Sequence, residues 1–268
     1  MKPAWAWLVG LAVAPSLPAQ ALDPARLDAA RQFLQVSVDS GAFPGAVLMV
    51  GLHGRVVYQT AVGHYGVHDP RPVNDSTIYD LASLTKVIGL TTGAMILVNE
   101  KQLDLDRRAD AYVPAFQGAN KDRVLIRHLL THSSGLPAWR PIYQLAQDRA
   151  SALDSIDATP LDTLPGIRFV YSDLGAIVLA QAVEAITKQP LDSFLAREVF
   201  QPLGMKETRY LPPTEWRQRI APTEIDPWRG RELLGEVHDE NAARLGGISG
   251  HAGLFSTAPD LARFAAWL

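Results

Sequence analysis

A serine and a lysine three residues apart, Ser83 and Lys86, have types and a spacing that could do chemistry. They lie in the stretch Asp80-Leu81-Ala82-Ser83-Leu84-Thr85-Lys86, where an extended run gives way to an apolar segment. Residues i and i+3 share a face of a helix, so the Ser83 hydroxyl and the Lys86 amine could meet at one point of a cleft. A hydroxyl beside a base that removes its proton is an activated nucleophile. The alternative is a helix start with an exposed lysine.

A tyrosine in the turn Tyr171-Ser172-Asp173, just before an apolar helix, is the third candidate group. Its phenol could relay a proton between the nucleophile and a leaving group if the lysine cation favours the ionised form. Alternatively, Tyr171 is a buried tyrosine whose hydroxyl is satisfied by hydrogen bonds. Asp173 either orients the lysine or a substrate amide, or caps the following helix.

Two histidine-containing segments offer further alternatives. His128 and His132 have the i,i+4 spacing of helical zinc ligands, but the segment lacks the glutamate of H-E-x-x-H, so we expect no metal. The segment His238-Asp239-Glu240-Asn241 places polar groups before a glycine-rich loop, either lining the mouth of a cleft or holding the loop.

The composition excludes several classes of function. The 268 residues are 47% hydrophobic and carry a formal net charge of −3, with lysines and arginines scattered rather than clustered. We therefore expect no nucleic-acid partner and no binding to an anionic membrane surface. Phosphate-loop and dinucleotide fingerprints are absent, and we expect no cofactor. The absence of cysteine excludes disulfides, a thiol nucleophile and a lipidated cysteine anchor. Nothing in the sequence indicates an oligomeric state.

The first 21 residues predict a cleavable export signal. Lys2 is followed by the apolar run Ala4 to Val13 and then by the A-x-A cleavage site Ala19-Gln20-Ala21. The run is too short to cross a bilayer, so we expect no stable membrane anchor. The mature chain is expected to begin at Leu22 and to be periplasmic or secreted.

Secondary-structure patterns predict sheet elements first and helices later. An amphipathic helix is expected after Asp23-Pro24, and a β-hairpin from 46–50 and 55–62, with the first strand buried on both faces. The segment 87–98 predicts a helix buried all round, and 103–210 a mainly helical region. An irregular connection is expected from 212 to 239. The helix that begins near Ser256 reaches the end of the sequence in mid-period, so we expect a fragment.

Taken together, these segments resemble the serine β-lactamase and penicillin-binding protein superfamily. The class C branch, with D-alanyl-D-alanine carboxypeptidases and serine esterases, is the most similar. The matching segments, in the order of the family, are Ser83-Leu84-Thr85-Lys86, Leu103-Asp104-Leu105-Asp106, 126–136, Tyr171-Ser172-Asp173, Pro202-Leu203-Gly204-Met205, 253–257 and 260–264.

The resemblance implies that Ser83 is the acylated nucleophile, Lys86 its base partner and Tyr171 a participant in proton transfer. Asp173 stands where family members have Asn or Asp. The implied fold is α+β: an antiparallel sheet flanked by helices, with an inserted, mostly helical domain. The expected boundaries are 22–86 for the first part of the sheet domain, 87–235 for the helical domain and 236–268 for an incomplete return.

The sequence departs from the family pattern at the third motif. Family members carry a K-T-G or H-x-G triad on a strand that lines the cleft, binds substrate and supplies an oxyanion N–H. His251-Ala252-Gly253 fits H-x-G, so His251 is a candidate substrate-binding or supporting residue. The surroundings resemble instead the segment before that strand, and we expect a C-terminal truncation that removes the strand itself.

The leading hypothesis is an exported serine hydrolase that acts through an acyl-enzyme on a small-molecule or cell-wall peptide substrate. D-alanyl peptides, β-lactams and small esters all fit. The alternatives are a truncated, non-catalytic binding protein of the same fold, and a zinc hydrolase using His128 and His132.

Overall fold

The computed structural model describes residues 23–268, and the predicted export signal with its cleavage site at Ala21 lies outside these residues. The helices are α1 (Pro24–Asp39), α2 (Thr92–Asn99), α3 (Ile126–Leu130), α4 (Ile142–Leu145), α5 (Arg149–Ala158), α6 (Asp173–Thr187), α7 (Leu191–Leu195), α8 (Glu240–Arg244) and α9 (Ala258–Trp267). The strands are β1 (Gly45–Leu52), β2 (Arg55–Gly63), β3 (Ile78–Asp80), β4 (Arg209–Tyr210), β5 (Ile225–Asp226), β6 (Arg231–Glu232) and β7 (Leu254–Thr257). Helices and antiparallel strands together confirm the predicted α+β class.

The predicted hairpin is confirmed as β1–β2. Leu52 pairs with Arg55 across the two-residue turn His53-Gly54. Both turn residues have positive φ, +50° at His53 and +72° at Gly54. A two-residue turn with positive φ at both positions matches the twist of antiparallel strands, which fixes the register of this hairpin.

The predicted burial of β1 on both faces is wrong. Residues 45–50 are half-buried, and Gly51 and Leu52 are exposed. Helix α1 lies against β2, and α9 lies against β1. A groove of about 600 Å³ stays open between β1 and α9, and its lining includes none of Ser83, Lys86 and Tyr171. Within residues 23–268, β1 pairs with β2 alone, so part of its apolar surface still meets solvent.

A second antiparallel sheet, with strand order β3-β7-β4, carries the chemistry-bearing turn. The central strand β7 is buried along its whole length. Asp80 of β3 and Arg209 of β4 both pair with Phe255 of β7. Because β3 ends three residues before Ser83, its pairing with β7 fixes where the Ser83 turn begins. Strand β4 lies inside the segment 87–235, so that predominantly helical segment also contributes to this sheet; the proposed division into domains stays a prediction.

The main hydrophobic core lies between α6 and the helix that follows Ser83. Residues 174–180 of α6 are all buried. The facing helix has glycine where it approaches α7: a Cβ at Gly93 would lie 2.9 Å from Leu195 Cδ2. The core therefore holds the Ser83 helix between α6 and α7 at close range.

The helix predicted at 87–98 exists, but it is neither regular nor buried all round. It begins as a π-helical segment, Lys86–Thr91, and continues as α2. Val87 and Met95 are each 52% exposed, so one side faces solvent. A second π-helical segment, Ala196–Phe200, follows α7. π-Helical turns inside α-helices are frequent near functional sites, and the first of these starts at Lys86.

The region expected to be irregular, 212–239, contains a short 3₁₀ helix, Thr214–Arg219, and the hairpin β5–β6. Of the helices in residues 23–268, none has the length and apolar character needed to span a bilayer.

Candidate active site

The turn that presents Ser83 is strained and held by a carboxylate. Ala82 has φ +45°, a left-handed conformation that is unfavourable for a residue with a side chain. Asp80 Oδ1 accepts the Ala82 N–H at 2.8 Å, and Asp80 Oδ2 accepts the His238 N–H at 2.7 Å. Burial raises the pKa of Asp80, and these two backbone hydrogen bonds oppose that rise. The result is an exposed serine on a fixed turn.

The start of β7 is tied to the same turn. The Leu81 N–H donates to Leu254 O at 2.9 Å. The Leu254 N–H donates to Thr85 Oγ1 at 3.1 Å. These two hydrogen bonds bring the segment just before β7, which contains His251, beside the first helical turn after Ser83.

Lys86 is the centre of the site. Its side chain is buried, at 6% exposure, and its Nζ lies 2.9 Å from Ser83 Oγ, 3.0 Å from the carbonyl oxygen of His251 and 2.7 Å from Asp173 Oδ1. An ammonium group has three N–H donors, and three acceptors surround this one. The alternative of an exposed lysine at a helix start is therefore wrong.

The structure brings Tyr171 to the same place. The Lys86 Nζ lies 4.8 Å from the centroid of the Tyr171 ring. The ring is 45% exposed, so the alternative of a buried tyrosine does not hold. Ser172 fixes the turn, because its Oγ donates to Pro137 O at 2.7 Å and accepts the Gly175 N–H at 3.1 Å. Ser83, Lys86 and Tyr171 thus converge from two distant parts of the chain.

Two interpretations of Asp173 were open, as lysine partner and as helix cap. The N-cap of α6 is Ser172, whose side chain accepts the Gly175 N–H. The Asp173 carboxylate faces Lys86 instead. Its backbone N–H donates to Ala138 O at 2.9 Å, which fixes its position. Asp173 therefore serves as the anionic partner of the lysine.

His251 supports the site through its backbone. Its ring is 1% exposed and bridges two side chains: Nδ1 lies 2.7 Å from Ser249 Oγ and Nε2 lies 2.8 Å from Asp239 Oδ1. Asp239 also caps α8 by accepting the Ala242 N–H at 2.7 Å. Burial acts to raise the pKa of Asp239, but the hydrogen bond and charge of His251 outweigh it and lower that pKa to about 2.

This geometry corrects the hypothesis that His251 is the histidine of an H-x-G triad on a strand. His251 precedes β7 rather than lying on it, and both edges of β7 are already paired, with β3 and β4. The buried imidazole points to Ser249 and Asp239, so the group presented to the site is the His251 carbonyl oxygen, which accepts from Lys86.

His128 and His132 each hold a backbone N–H through Nδ1. His132 Nδ1 accepts the Ser172 N–H at 3.1 Å, and His128 Nδ1 accepts the Leu125 N–H at 3.1 Å. Each of these nitrogens already uses its lone pair on the backbone. In the part of the chain that the structure describes, no group of three or more His, Asp or Glu side chains could hold a metal ion.

Sequence reasoning missed the groups that hold the site. Asp80 belongs to the Ser83 stretch, but the sequence predicts no role for it. Asp239 belongs to the polar segment His238-Asp239-Glu240-Asn241, whose role the sequence leaves open. The available signal for Asp239 was its position as a helix cap three residues before Ala242, which is a common place for aspartate. The contact of Asp80 with Ala82 spans two residues and is a common local pattern for aspartate. The partners without a local signal are His238 for Asp80 and His251 for Asp239.

Comparisons with known proteins show which family this chain resembles. A family model described as Beta-lactamase matches residues 30–268. The chain is 33% identical over 265 residues to an N-acetylmuramyl-L-alanine amidase of Bacillus subtilis (strain 168), covering 86% of this chain and 60% of that protein. It is 33% identical over 272 residues to an Escherichia coli (strain K12) protein provisionally named D-alanyl-D-alanine carboxypeptidase, covering 88% of this chain and 62% of that protein. The chain therefore spans about 60% of the length of these relatives.

The fold itself recurs in solved structures. A class C β-lactamase superposes with a TM-score of 0.75 at 20% identity, covering 92% of this chain and 66% of that chain. The structural match shows the fold, and the family model that matches residues 30–268 establishes the family. The chain belongs to the β-lactamase family of hydrolases, within the serine β-lactamase and penicillin-binding protein superfamily.

Proposed function

We propose that this protein is an exported serine hydrolase in which Ser83 forms an acyl-enzyme. The observation that carries the proposal is the 2.9 Å contact between Lys86 Nζ and Ser83 Oγ, with the lysine buried and the serine exposed. A hydroxyl in hydrogen-bond reach of an amine that water cannot freely solvate is the arrangement an activated nucleophile requires.

Lys86 must lose one proton before it can act as the base. As an ammonium it donates to Ser83 Oγ and to the His251 carbonyl oxygen, and it pairs by charge with Asp173. As a neutral amine it keeps two N–H donors for Asp173 and the His251 carbonyl, and its lone pair then faces the Ser83 O–H. Both protonation states thus fit the same three neighbours, so proton transfer needs no rearrangement of the site.

The reaction proceeds in two balanced halves. In the first, Ser83 Oγ bonds to the carbonyl carbon of an amide or ester while its proton passes to Lys86 Nζ. Collapse of the tetrahedral intermediate breaks the C–N or C–O bond, and the leaving group takes that proton by way of the Tyr171 phenol. In the second, water adds to the ester at Ser83, the carboxylic acid leaves and the Ser83 O–H is restored.

The backbone at Ser83 supplies one stabilising group for the oxyanion. The first hydrogen bond from backbone to backbone within this turn runs from the Leu84 N–H to Leu81 O. The Ser83 N–H lies one residue earlier, at the positive end of the helix that runs on through α2. A donor in this position stabilises negative charge that develops on the substrate oxygen.

The substrate class follows from the relatives. One carries the name of an amidase and another that of a D-alanyl-D-alanine carboxypeptidase. We infer an amide of a cell-wall peptide as the substrate, with β-lactams and small esters as compounds that the same nucleophile would accept. Such a substrate fits the export signal expected at residues 1–21; N-terminal sequencing of protein recovered from the periplasm or medium should then begin at Leu22.

Turnover of three compounds tests the proposal: an acyl-D-alanyl-D-alanine peptide, a chromogenic cephalosporin and a short-chain p-nitrophenyl ester. We expect hydrolysis of at least one, lost in Ser83→Ala. The matched control is Ser193→Ala, which removes an exposed hydroxyl of α7. Hydrolysis that survives in Ser83→Ala, or that is lost equally in both variants, would rule the mechanism out.

A further inference from the structure

His132 brackets Tyr171 from both sides. The Val170 N–H donates to the carbonyl oxygen of His132 at 2.8 Å, and the Ser172 N–H donates to His132 Nδ1 at 3.1 Å. Between these two hydrogen bonds, the imidazole lies against the Tyr171 ring, with centroids 4.5 Å apart and a 41° angle between planes. One residue thus holds the backbone before and after the tyrosine as well as its ring, and we call these three contacts the bracket.

We infer that His132 is a positioning residue for Tyr171, and that it acts only as the neutral imidazole that carries its proton on Nε2. The inference rests on the proposed function, since Tyr171 transfers the proton there. An imidazole accepts a hydrogen bond only through an unprotonated nitrogen, and Nδ1 is the acceptor here. Protonation of His132 places an N–H against the Ser172 N–H and opens the bracket.

The backbone of His132 makes this double contact possible. His132 has φ +53°, in the left-handed region. Histidine and asparagine occur there more often than most residues with a side chain, whereas β-branched residues are strongly disfavoured. This conformation directs the His132 carbonyl and ring to the same short segment of chain. A residue that cannot adopt it would lose both contacts.

The groups around His132 favour the neutral form. Lys86 and Asp173 are the charged groups that face it, and the Tyr171 phenol and Phe169 ring pack beside it. Burial lowers the pKa of His132, and the positive charge of Lys86 lowers it further. The negative charge of Asp173 opposes these effects without reversing them. The bracket is therefore closed at neutral pH and opens on the acidic side.

His128 offers a matched comparison four residues earlier. Its Nδ1 also accepts a backbone N–H, from Leu125 at 3.1 Å. Burial lowers its pKa as well. The segment it holds is the start of α3, not the Tyr171 turn. A purely structural histidine in this region should therefore behave as His128 does.

The test compares His132→Asn, His132→Ala and His128→Asn with the wild type. Asparagine adopts left-handed φ, its Oδ1 stands near the position of Nδ1, and it does not titrate. We expect His132→Ala to lower kcat about 10- to 100-fold with KM changed less than about threefold, since a small misplacement of a reacting group has an effect of that size. His132→Asn should recover most of kcat and make the acidic decline of kcat less steep, because one protonation fewer then opposes turnover. His128→Asn should keep the wild-type pH profile.

Two results would overturn the inference: an unchanged kcat in His132→Ala, or an acidic decline of kcat that is as steep in His132→Asn as in the wild type. Circular dichroism of each variant identifies any that fail to fold. A ring ¹⁵N NMR titration of His132 gives a readout that needs no turnover, with Nδ1 expected unprotonated at neutral pH. If the wild type forms no adduct at Ser83, the proposed function fails. The bracket is then judged alone, by that tautomer and by a shift of the Tyr171 ring resonance in His132→Ala that is absent in His128→Asn.

Discussion

Lys86 Nζ lies 3.0 Å from the carbonyl oxygen of His251, a residue 165 positions further along the chain. The contact joins the first turn after Ser83 to the segment that precedes β7. The same segment carries the buried chain of side chains from Asp239 through His251 to Ser249. The orientation of the lysine therefore depends on a largely buried polar network, and changes in this network should alter stability as well as activity.

Asp239 should contribute stability that depends on pH. Its folded-state pKa of about 2 lies below its ordinary value of 3.8. A carboxyl group of this kind contributes fully above pH about 4 and loses its contribution as the pH falls towards 2. A difference of roughly 2 pH units corresponds to about 2.5 kcal/mol. Urea denaturation of wild type and Asp239→Asn at pH 6, 4 and 2.5 should show a gap in unfolding free energy that closes with acid; a gap that is constant across the three pH values would contradict this.

Asp173→Asn should lower kcat/KM. The Asp173 carboxylate lies 2.7 Å from Lys86 Nζ and holds the amine by its charge. Asparagine keeps the size of the side chain and removes that charge, and a small misplacement of a reacting group lowers the rate on the order of 10- to 100-fold. The measurement is kcat/KM at neutral pH. Asp106→Asn, which removes an exposed carboxylate paired with Arg127, serves as control and should show no loss; equal kcat/KM in wild type and Asp173→Asn would contradict this role.

Tyr171→Phe should lower kcat and leave the fold intact. The ring keeps its contact with His132, while the hydroxyl that passes the proton to the leaving group is lost. General acid–base groups contribute about 10²- to 10⁴-fold, and we expect a loss in that range with little change in KM or in melting temperature. Tyr143→Phe, which alters an aromatic residue packed against Trp228, is the comparison. Equal kcat in wild type and Tyr171→Phe would remove the phenol from the mechanism.

The sequence predicted the reacting side chains better than the segments that position them. Ser83 and Lys86 are three residues apart, so local helical geometry alone places them together. The turn before an apolar helix makes Tyr171 a candidate, but only the order of the family motifs connects it to Ser83. The apolar helix predicted after this turn is α6, which is buried along most of its length.

What the sequence could not supply were contacts between distant segments. The role of His251 lies in a backbone carbonyl, which every residue has, so its ring suggested a substrate-binding motif that the fold does not build. The burial of β1 was overestimated for a related reason: an apolar run shows what a strand can cover, not which neighbours are present. The π-helical turn at Lys86–Thr91 likewise depends on packing against α6 rather than on local propensity.

Covalent trapping at Ser83 tests the central claim most directly. The folded protein is incubated with a fluorophosphonate and, separately, with a penicillin, and then examined by intact mass spectrometry and peptide mapping. The acyl-enzyme mechanism predicts one adduct per chain, located on Ser83, absent in Ser83→Ala and retained in Ser193→Ala, which removes an exposed hydroxyl of α7. No adduct from either reagent, or an adduct on another residue, would contradict it.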